Sequence, residues 1–170
     1  MPNSKLEEDS ENILVGIITV SDSRAAAMKE GQDEDISGKI VQEKLEEAGF
    51  LSNRVIVSDE IKEIEEKVDE FVSDSEINMI ITTGGTGLTS RDKTVNVVRE
   101  FFDKELPGFG ETLRRLGYEK VGLPGILTRT TAGLSDQKPI VCLPGTPNAV
   151  EIGMDLLVSD LEYLVKQAQK

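Results

Sequence analysis

Met79-Ile80-Ile81-Thr82-Thr83-Gly84-Gly85-Thr86-Gly87-Leu88-Thr89-Ser90-Arg91-Asp92 is the stretch on which the reading of this chain turns. A short apolar run rich in β-branched residues breaks into three glycines within four positions, and a helix-compatible segment, Thr94 to Phe102, follows. Strand, tight turn and helix in that order bring backbone N–H groups to face an anion. Gly84, Gly85 and Gly87 permit positive φ and a close approach of backbone to ligand that a Cβ would obstruct. The two familiar phosphate fingerprints do not fit. No Gly-Lys-Ser/Thr follows, so the loop is not a P-loop, and Ser90 stands where G-x-G-x-x-G requires its last glycine. Arg91-Asp92 instead sets a cation beside a carboxylate at the mouth of the turn. A carboxylate next to a phosphate site is unfavourable unless a Mg²⁺ ion lies between them. The alternative is a glycine-rich βα loop with no ligand.

Working outward, Ile13 to Ser21 is almost continuously apolar, as expected of a central strand covered on both faces. The segment to Glu34 reads as loop, and Ser37 to Ala48 as a helix that stops at Gly49. Arg54 to Val57 is a short strand, and Ile61 to Val72 a helix with Ile61, Ile64, Val68, Phe71 and Val72 at helical spacing. Beyond Phe102 come a turn through Pro107-Gly108 and a helix over Thr112 to Leu116. A β-prone run from Ile126 to Leu134 and a strand from Pro139 to Leu143 form an expected antiparallel hairpin. Leu143 to Asn148 is a rigid loop opening a last helix, Ala149 to Lys166. Alternating strands and helices predict an α/β fold, a three-layer, doubly wound, mostly parallel sheet with that hairpin added. Ligands in such folds sit beyond the carboxyl ends of the strands. Ser21-Asp22, Asp59-Glu60, Gly84 to Asp92 and Pro144 to Asn148 each follow a predicted strand, so they are expected to converge.

Composition narrows the chemistry. A chain of 170 residues with 38% apolar and 30% charged residues fits a soluble protein with one sizeable core. The expected division is an acidic flexible tail over residues 1–12 and a single domain over 13–170. No apolar run approaches the roughly 18 residues that span a bilayer, and the polar N-terminus does not read as a secretory signal. The chain has no histidine, which excludes His-based triads and His-ligated zinc. Its single cysteine, Cys142, lies in an apolar run, and a cytoplasmic location is the simplest expectation. A net charge of −13 argues against nucleic acid as partner. Its distribution is uneven: Asp59 to Glu76 carries nine acids and two lysines, a net of −7, whereas Thr82 to Asn148 carries nine Lys/Arg against seven Asp/Glu, a net of +2. The half with the glycine loops is the half that tolerates an anionic ligand.

Thr83-Gly84-Gly85-Thr86-Gly87 with Arg91-Asp92, Pro107-Gly108-Phe109-Gly110-Glu111, Thr128-Arg129 with Ala132-Gly133, and Leu143 to Ala149 together resemble the MogA/MoaB family of molybdenum-cofactor biosynthesis. The resemblance runs from about Ile13 to the C-terminus. It implies a molybdopterin-binding α/β domain assembled as a homotrimer or homohexamer. It also implies Mg-ATP-dependent adenylylation of molybdopterin with release of pyrophosphate. On it, Asp59 and Asp92 match the family's two catalytic carboxylates and would hold Mg²⁺. Gly84, Gly85, Thr86 and Gly87 would cradle phosphates, and Ser21, Asp22, Arg129, Thr146 and Asn148 would contact pterin or nucleotide. Thr128 departs from the family pattern, which has Ser before the Arg; both carry a hydroxyl.

Each residue also has a plainer reading. Asp92 and Asp59 are well suited to cap the helices that start near Thr94 and Ile61. Arg129 fits an ordinary surface pair, and Pro144 to Pro147 a purely structural turn. At the level of function, the alternatives are a MoaB-type molybdopterin-binding scaffold without turnover, with other cofactor-biosynthesis enzymes as partners, and a nucleotide pyrophosphatase.

Overall fold

Among the described residues six strands form one sheet in the order β2-β1-β3-β6-β5-β4. In chain order they are β1 Leu14–Val20, β2 Leu51–Val57, β3 Ile77–Thr83, β4 Lys104–Glu105, β5 Thr131–Ser135 and β6 Lys138–Leu143. This computed structural model describes residues 13–170; the acidic tail expected over 1–12 lies outside the described residues. Four strands, β2, β1, β3 and β6, are parallel. Antiparallel pairing joins β5 to β6 and β4 to β5. The doubly wound, mostly parallel sheet with a hairpin is thus as expected.

Among the described residues seven α-helices cover the sheet: α1 Asp22–Lys29, α2 Ile36–Glu47, α3 Ile61–Ser73, α4 Thr94–Arg99, α5 Pro107–Val121, α6 Pro147–Val158 and α7 Leu161–Ala168. Alternation along the strands sorts the core in two. Val15, Ile17, Met79, Ile81, Val141 and Leu143 face the layer of α2, α5, α6 and α7. Ile18, Val20, Ile77, Ile80, Ile140 and Cys142 face α3 and α4. Ile77 and Met79 fall on opposite faces although two apart, because the β1–β3 register slips between Leu14 and Val15. Asn78 occupies the irregularity, its Oδ1 accepting from the Leu14 N–H at 2.9 Å. The chain leaves β1 for β2 on one side and returns past β1 to β3. The topological switch, and the crevice it opens, therefore lies at the carboxyl ends of β1 and β3. Among the described residues no helix is long and apolar enough to cross a membrane.

Several local expectations need correction. Asp22–Lys29 is helix, not loop: it carries no apolar stripe, burying only Ala25, and rests on its alanines and on Ser21, whose Oγ accepts from the Arg24 N–H. α5 begins at Pro107, five residues before the expected start, because Pro suits the first helical turn. Leu123–Ile126 is a 3₁₀ turn, so β5 is shorter than the β-prone run. The last helix breaks at Ser159-Asp160, which lets Leu161 and Val165 bury against the sheet. The hairpin turn is where expected, with Asp136 and Gln137 at φ 48° and 63°, the type I′ pattern. Phe101 and Phe102 pack partly buried against the α3–α4 side of the core. Phe109 packs partly buried against the other face.

Gly16 sits in β1 beneath Phe71 of α3, and a Cβ there would run into the ring. We predict that Gly16→Val costs about 1–3 kcal/mol by overpacking, and that Phe71→Leu in the same chain recovers part of the loss. Thermal unfolding of wild type and the two variants checks this; a wild-type midpoint for Gly16→Val would mean that α3 does not bear on the sheet at this point.

Candidate active site

The loop after β3 is wired by backbone groups to three other segments. The Gly84 N–H donates to the Leu143 carbonyl at 3.1 Å, and the Thr83 hydroxyl to that of Pro144 at 2.8 Å. Gly84 and Gly85 adopt φ of +98° and +69°. A Cβ on Gly84 would strike the Val20 carbonyl, and one on Gly85 the buried Thr94 hydroxyl, so both positions are closed to other residues on two counts. Thr86 and Thr128 share a hydroxyl–hydroxyl hydrogen bond of 2.8 Å, which gives a use to the hydroxyl at the position where the sequence departs from the family pattern.

Arg129 is not an ordinary surface pair. Its backbone N–H donates to the Thr86 carbonyl at 2.7 Å. Its guanidinium donates to the carbonyls of Gly87 and Asp92, at 3.0 and 2.7 Å, and to Asn96 Oδ1 at 2.8 Å. Arg129 therefore clamps the turn from Gly87 to Asp92 instead of reaching freely toward a ligand.

The two carboxylates are held differently, and neither caps the helix that follows it: the cap positions of α3 and α4 are Glu60 and Lys93. Asp92 Oδ2 accepts from the Thr89 N–H at 2.9 Å and from the Thr89 hydroxyl at 2.8 Å; the cap position of α4 is Lys93, with no side-chain bond. Burial pushes the Asp92 carboxyl up, but the Thr89 hydrogen bonds, the Gly87 amide and the Arg129 charge outweigh it, leaving its pKa below the ordinary value. Asp59 forms a reciprocal pair with Asp22: the Asp22 N–H donates to Asp59 Oδ2 at 3.1 Å and the Asp59 N–H to Asp22 Oδ1 at 2.8 Å. Its pKa is raised, first by desolvation. The Asp22 amide opposes this, the Asp22 charge adds to it, and the weaker influences of Arg91 and Asp92 pull in opposite directions. Ser21 is spent as the cap of α1, and its N–H donates to the Val57 carbonyl.

Two cavities flank the glycine turn. The larger, about 690 Å³, runs from Gly85–Leu88 to Thr146 and Asn148 and is walled by apolar side chains such as Leu113, Val121 and Leu127. Its size suits a small organic ligand. The smaller, about 540 Å³, lies on the α4 side, between Ile61, Ser90, Lys93, Asn96 and Arg129. Gly87, Leu88 and Asp92 line both. Of the residues singled out from sequence, Gly85, Thr86, Gly87, Asp92, Thr146 and Asn148 meet at the larger cavity and Arg129 at the smaller. Gly84 lies beneath the turn. Ser21, Asp22 and Asp59 form a separate group at the ends of β1 and β2 that lines neither.

The family described as a probable molybdopterin binding domain matches residues 16–163. This chain belongs to the MogA/MoaB family. It is 38% identical over 168 residues to a molybdopterin adenylyltransferase of Pyrococcus furiosus, covering 96% of each chain. To molybdenum cofactor biosynthesis protein B of Bacillus subtilis it is 34% identical over 167 residues, covering 96% of this chain and 95% of the relative. Among solved structures it superposes on a molybdenum cofactor biosynthesis protein B with a TM-score of 0.86, at 30% identity over 94% of this chain and 98% of the other. The tungsten cofactor synthesizing protein MoaB of Pyrococcus furiosus gives 0.80 at 36% identity, over 94% and 98%.

Some residues that shape the site of this MogA/MoaB chain escape a reading of its sequence. Ser37 Oγ donates to the Gly145 carbonyl at 2.8 Å and so fixes the loop that carries Thr146 and Asn148. Beside it, the fully buried Asp35 accepts from Thr19, from the Gly38 N–H and from Arg54, at 2.7, 2.9 and 2.9 Å. Asp35-Ile36-Ser37-Gly38 carries a legible helix-start signal, Asp at the cap; the partner 108 residues away does not show in it. As for Mg²⁺, no group of three or more His, Cys, Asp or Glu clusters among the described residues. Asp59 and Asp92, whose charges feel each other and which each keep a carboxylate oxygen outside the hydrogen bonds described above, would suit an ion that takes few protein ligands and completes its shell with water and phosphate oxygens.

The opposite shifts predict opposite stability effects in metal-free buffer. The penalty from ionised Asp59 is full above its raised folded-state pKa and fades as pH falls through it, so Asp59→Asn should raise the melting temperature at neutral pH. The stabilisation from Asp92 is present above its unfolded pKa and lost as pH falls through the folded one, so Asp92→Asn should lower the melting temperature at neutral pH and converge with wild type in acid. Melting curves from neutral to acid pH decide; shifts of the same sign in both variants would contradict this electrostatic account.

Proposed function

We propose that this protein adenylylates molybdopterin with ATP in molybdenum cofactor biosynthesis, releasing pyrophosphate. The observation that carries this reading is the pair of cavities that share Gly87, Leu88 and Asp92. Two substrates seated on either side of one rigid turn would meet at one carboxylate. The larger, apolar cavity suits a flat pterin ring, with Thr146 and Asn148 offering side chains that have no hydrogen-bond partner among the described residues. The glycine turn brings backbone close to the phosphates without a Cβ in the way.

In the reaction, an oxygen of the pterin's terminal phosphate forms a bond to the α-phosphorus of ATP. The bond from that phosphorus to the α,β-bridging oxygen breaks, and pyrophosphate leaves with the electron pair. No protein nucleophile is needed, which agrees with a chain without histidine. The protein's part is orientation and charge compensation. Arg129 holds the Gly87–Asp92 turn rigid, and the reciprocal Asp22–Asp59 pair fixes the second carboxylate. A Mg²⁺ ion held by Asp59 and Asp92 would neutralise the repulsion between the two phosphate groups when bound.

Residues 13–170 act in this reading as one domain in the cytoplasm, where ATP is at hand. Tyr118, Val121, Leu123, Ile126 and Leu127 are 43–60% exposed along the end of α5 and the 3₁₀ turn. That apolar face supports assembly of copies of this chain into a homotrimer or homohexamer.

The test is incubation with molybdopterin, ATP and Mg²⁺, following the mass of the AMP-bearing pterin. Product should form, disappear with EDTA, and form at least ~100-fold more slowly in Asp92→Asn. Tight pterin binding without product would instead make this chain a molybdopterin-binding scaffold, and wild-type turnover by Asp92→Asn would remove that residue from the chemistry.

A further inference from the structure

The smaller cavity is distinguished by an excess of hydrogen-bond donors. Lys93 lines it half-buried, and its ammonium has no partner among the described residues. Asn96 Oδ1 is occupied by the Arg129 guanidinium, which can only donate, so the amide nitrogen of Asn96 is left with two unused N–H groups. The Ser90 hydroxyl is unpartnered among the described residues, and Arg129 spends three of its donors on the protein. Few acceptors nearby are idle: Asp92 Oδ2 is taken by Thr89 and the Asp92 carbonyl by Arg129, which leaves the second Asp92 carboxylate oxygen for a metal ion. Two cations and several idle donors with few idle acceptors describe a site for an oxyanion.

The pattern also separates the two cavities chemically. The larger is walled mainly by apolar side chains, and the smaller has Ile61, Leu88 and Val97 only at its flanks. Ligands of different character suit the two sides of the turn. We infer that the smaller cavity seats the β- and γ-phosphates of the nucleotide, with Lys93 and Asn96 as the donors that hold the departing pyrophosphate. The name of this ligand rests on the adenylylation reading; the anion affinity of the cleft does not. As the bond between the α-phosphorus and the bridging oxygen breaks, negative charge grows on that oxygen, and the Lys93 ammonium stands on the side to which it leaves.

The probe is pyrophosphate in excess Mg²⁺, titrated calorimetrically into the full chain with no pterin present. Wild type should bind it, and Lys93→Met should weaken binding roughly ten- to hundredfold, as expected for loss of a charge-assisted hydrogen bond. Lys93→Arg should recover most of the affinity. In turnover, Lys93→Met should raise the KM for ATP and the inhibition constant of pyrophosphate together, with the KM for molybdopterin unchanged. Equal pyrophosphate binding by wild type and Lys93→Met overturns the assignment, as does no binding by wild type at millimolar pyrophosphate. Inorganic phosphate binding as tightly as pyrophosphate would also overturn it, since the cleft would then fit the pterin's single phosphate. Lys93-dependent pyrophosphate binding in a protein that makes no adenylylated pterin would sustain the anion site while removing the adenylyltransferase reading.

Discussion

The guanidinium of Arg129 is the interaction on which the site depends. A turn with three glycines in four positions has more backbone freedom to lose than any other segment of similar length. Hydrogen bonds from Arg129 to the Gly87 and Asp92 carbonyls and to Asn96 span that turn from end to end. Its own N–H anchors the loop's start at Thr86. Because each donor meets an oxygen that would otherwise need water, the clamp satisfies the loop backbone as it fixes its shape. The two cavities on either side share the wall that this clamp holds.

Around that wall the charges are arranged at some cost to the fold. Asp59 is desolvated and crowded by other carboxylates, and its protonation is shifted accordingly. Lys93 keeps an ammonium without a partner among the described residues beside Arg129. A surface selected for stability alone would pair these groups. On the reading proposed above, a polyphosphate would supply the charge that Lys93 lacks and a divalent cation the charge that Asp59 lacks. Asp92, by contrast, is satisfied by Thr89, and its carboxylate is held in its charged form.

The loops that build the site come from distant parts of the chain and are joined by polar contacts. Ser37 reaches Gly145, Thr83 reaches Pro144, and Thr86 meets Thr128. The sheet delivers the carboxyl ends of β1, β2, β3 and β6 to one edge, and the side chains then tie neighbouring loops together.

By itself the sequence determined the fold class, the identity of the glycine turn and its relation to the MogA/MoaB family. Those signals are local: buried parallel strands read as apolar runs, and glycine with Asp and Arg at fixed spacing is visible in fourteen consecutive residues. It missed α1, which buries too little to show an apolar stripe, and the break between α6 and α7, which packing of Leu161 onto the sheet decides. Only the tertiary structure decided what the candidate residues do. Arg129 is a clamp because Gly87 and Asn96 come within reach. Asp59 and Asp22 interlock because β1 and β2 end side by side, and Lys93 and Asn96 become a donor cluster because α4 packs beneath the turn. Roles of this kind depend on distances between residues far apart in the chain, and no spacing along the chain encodes them.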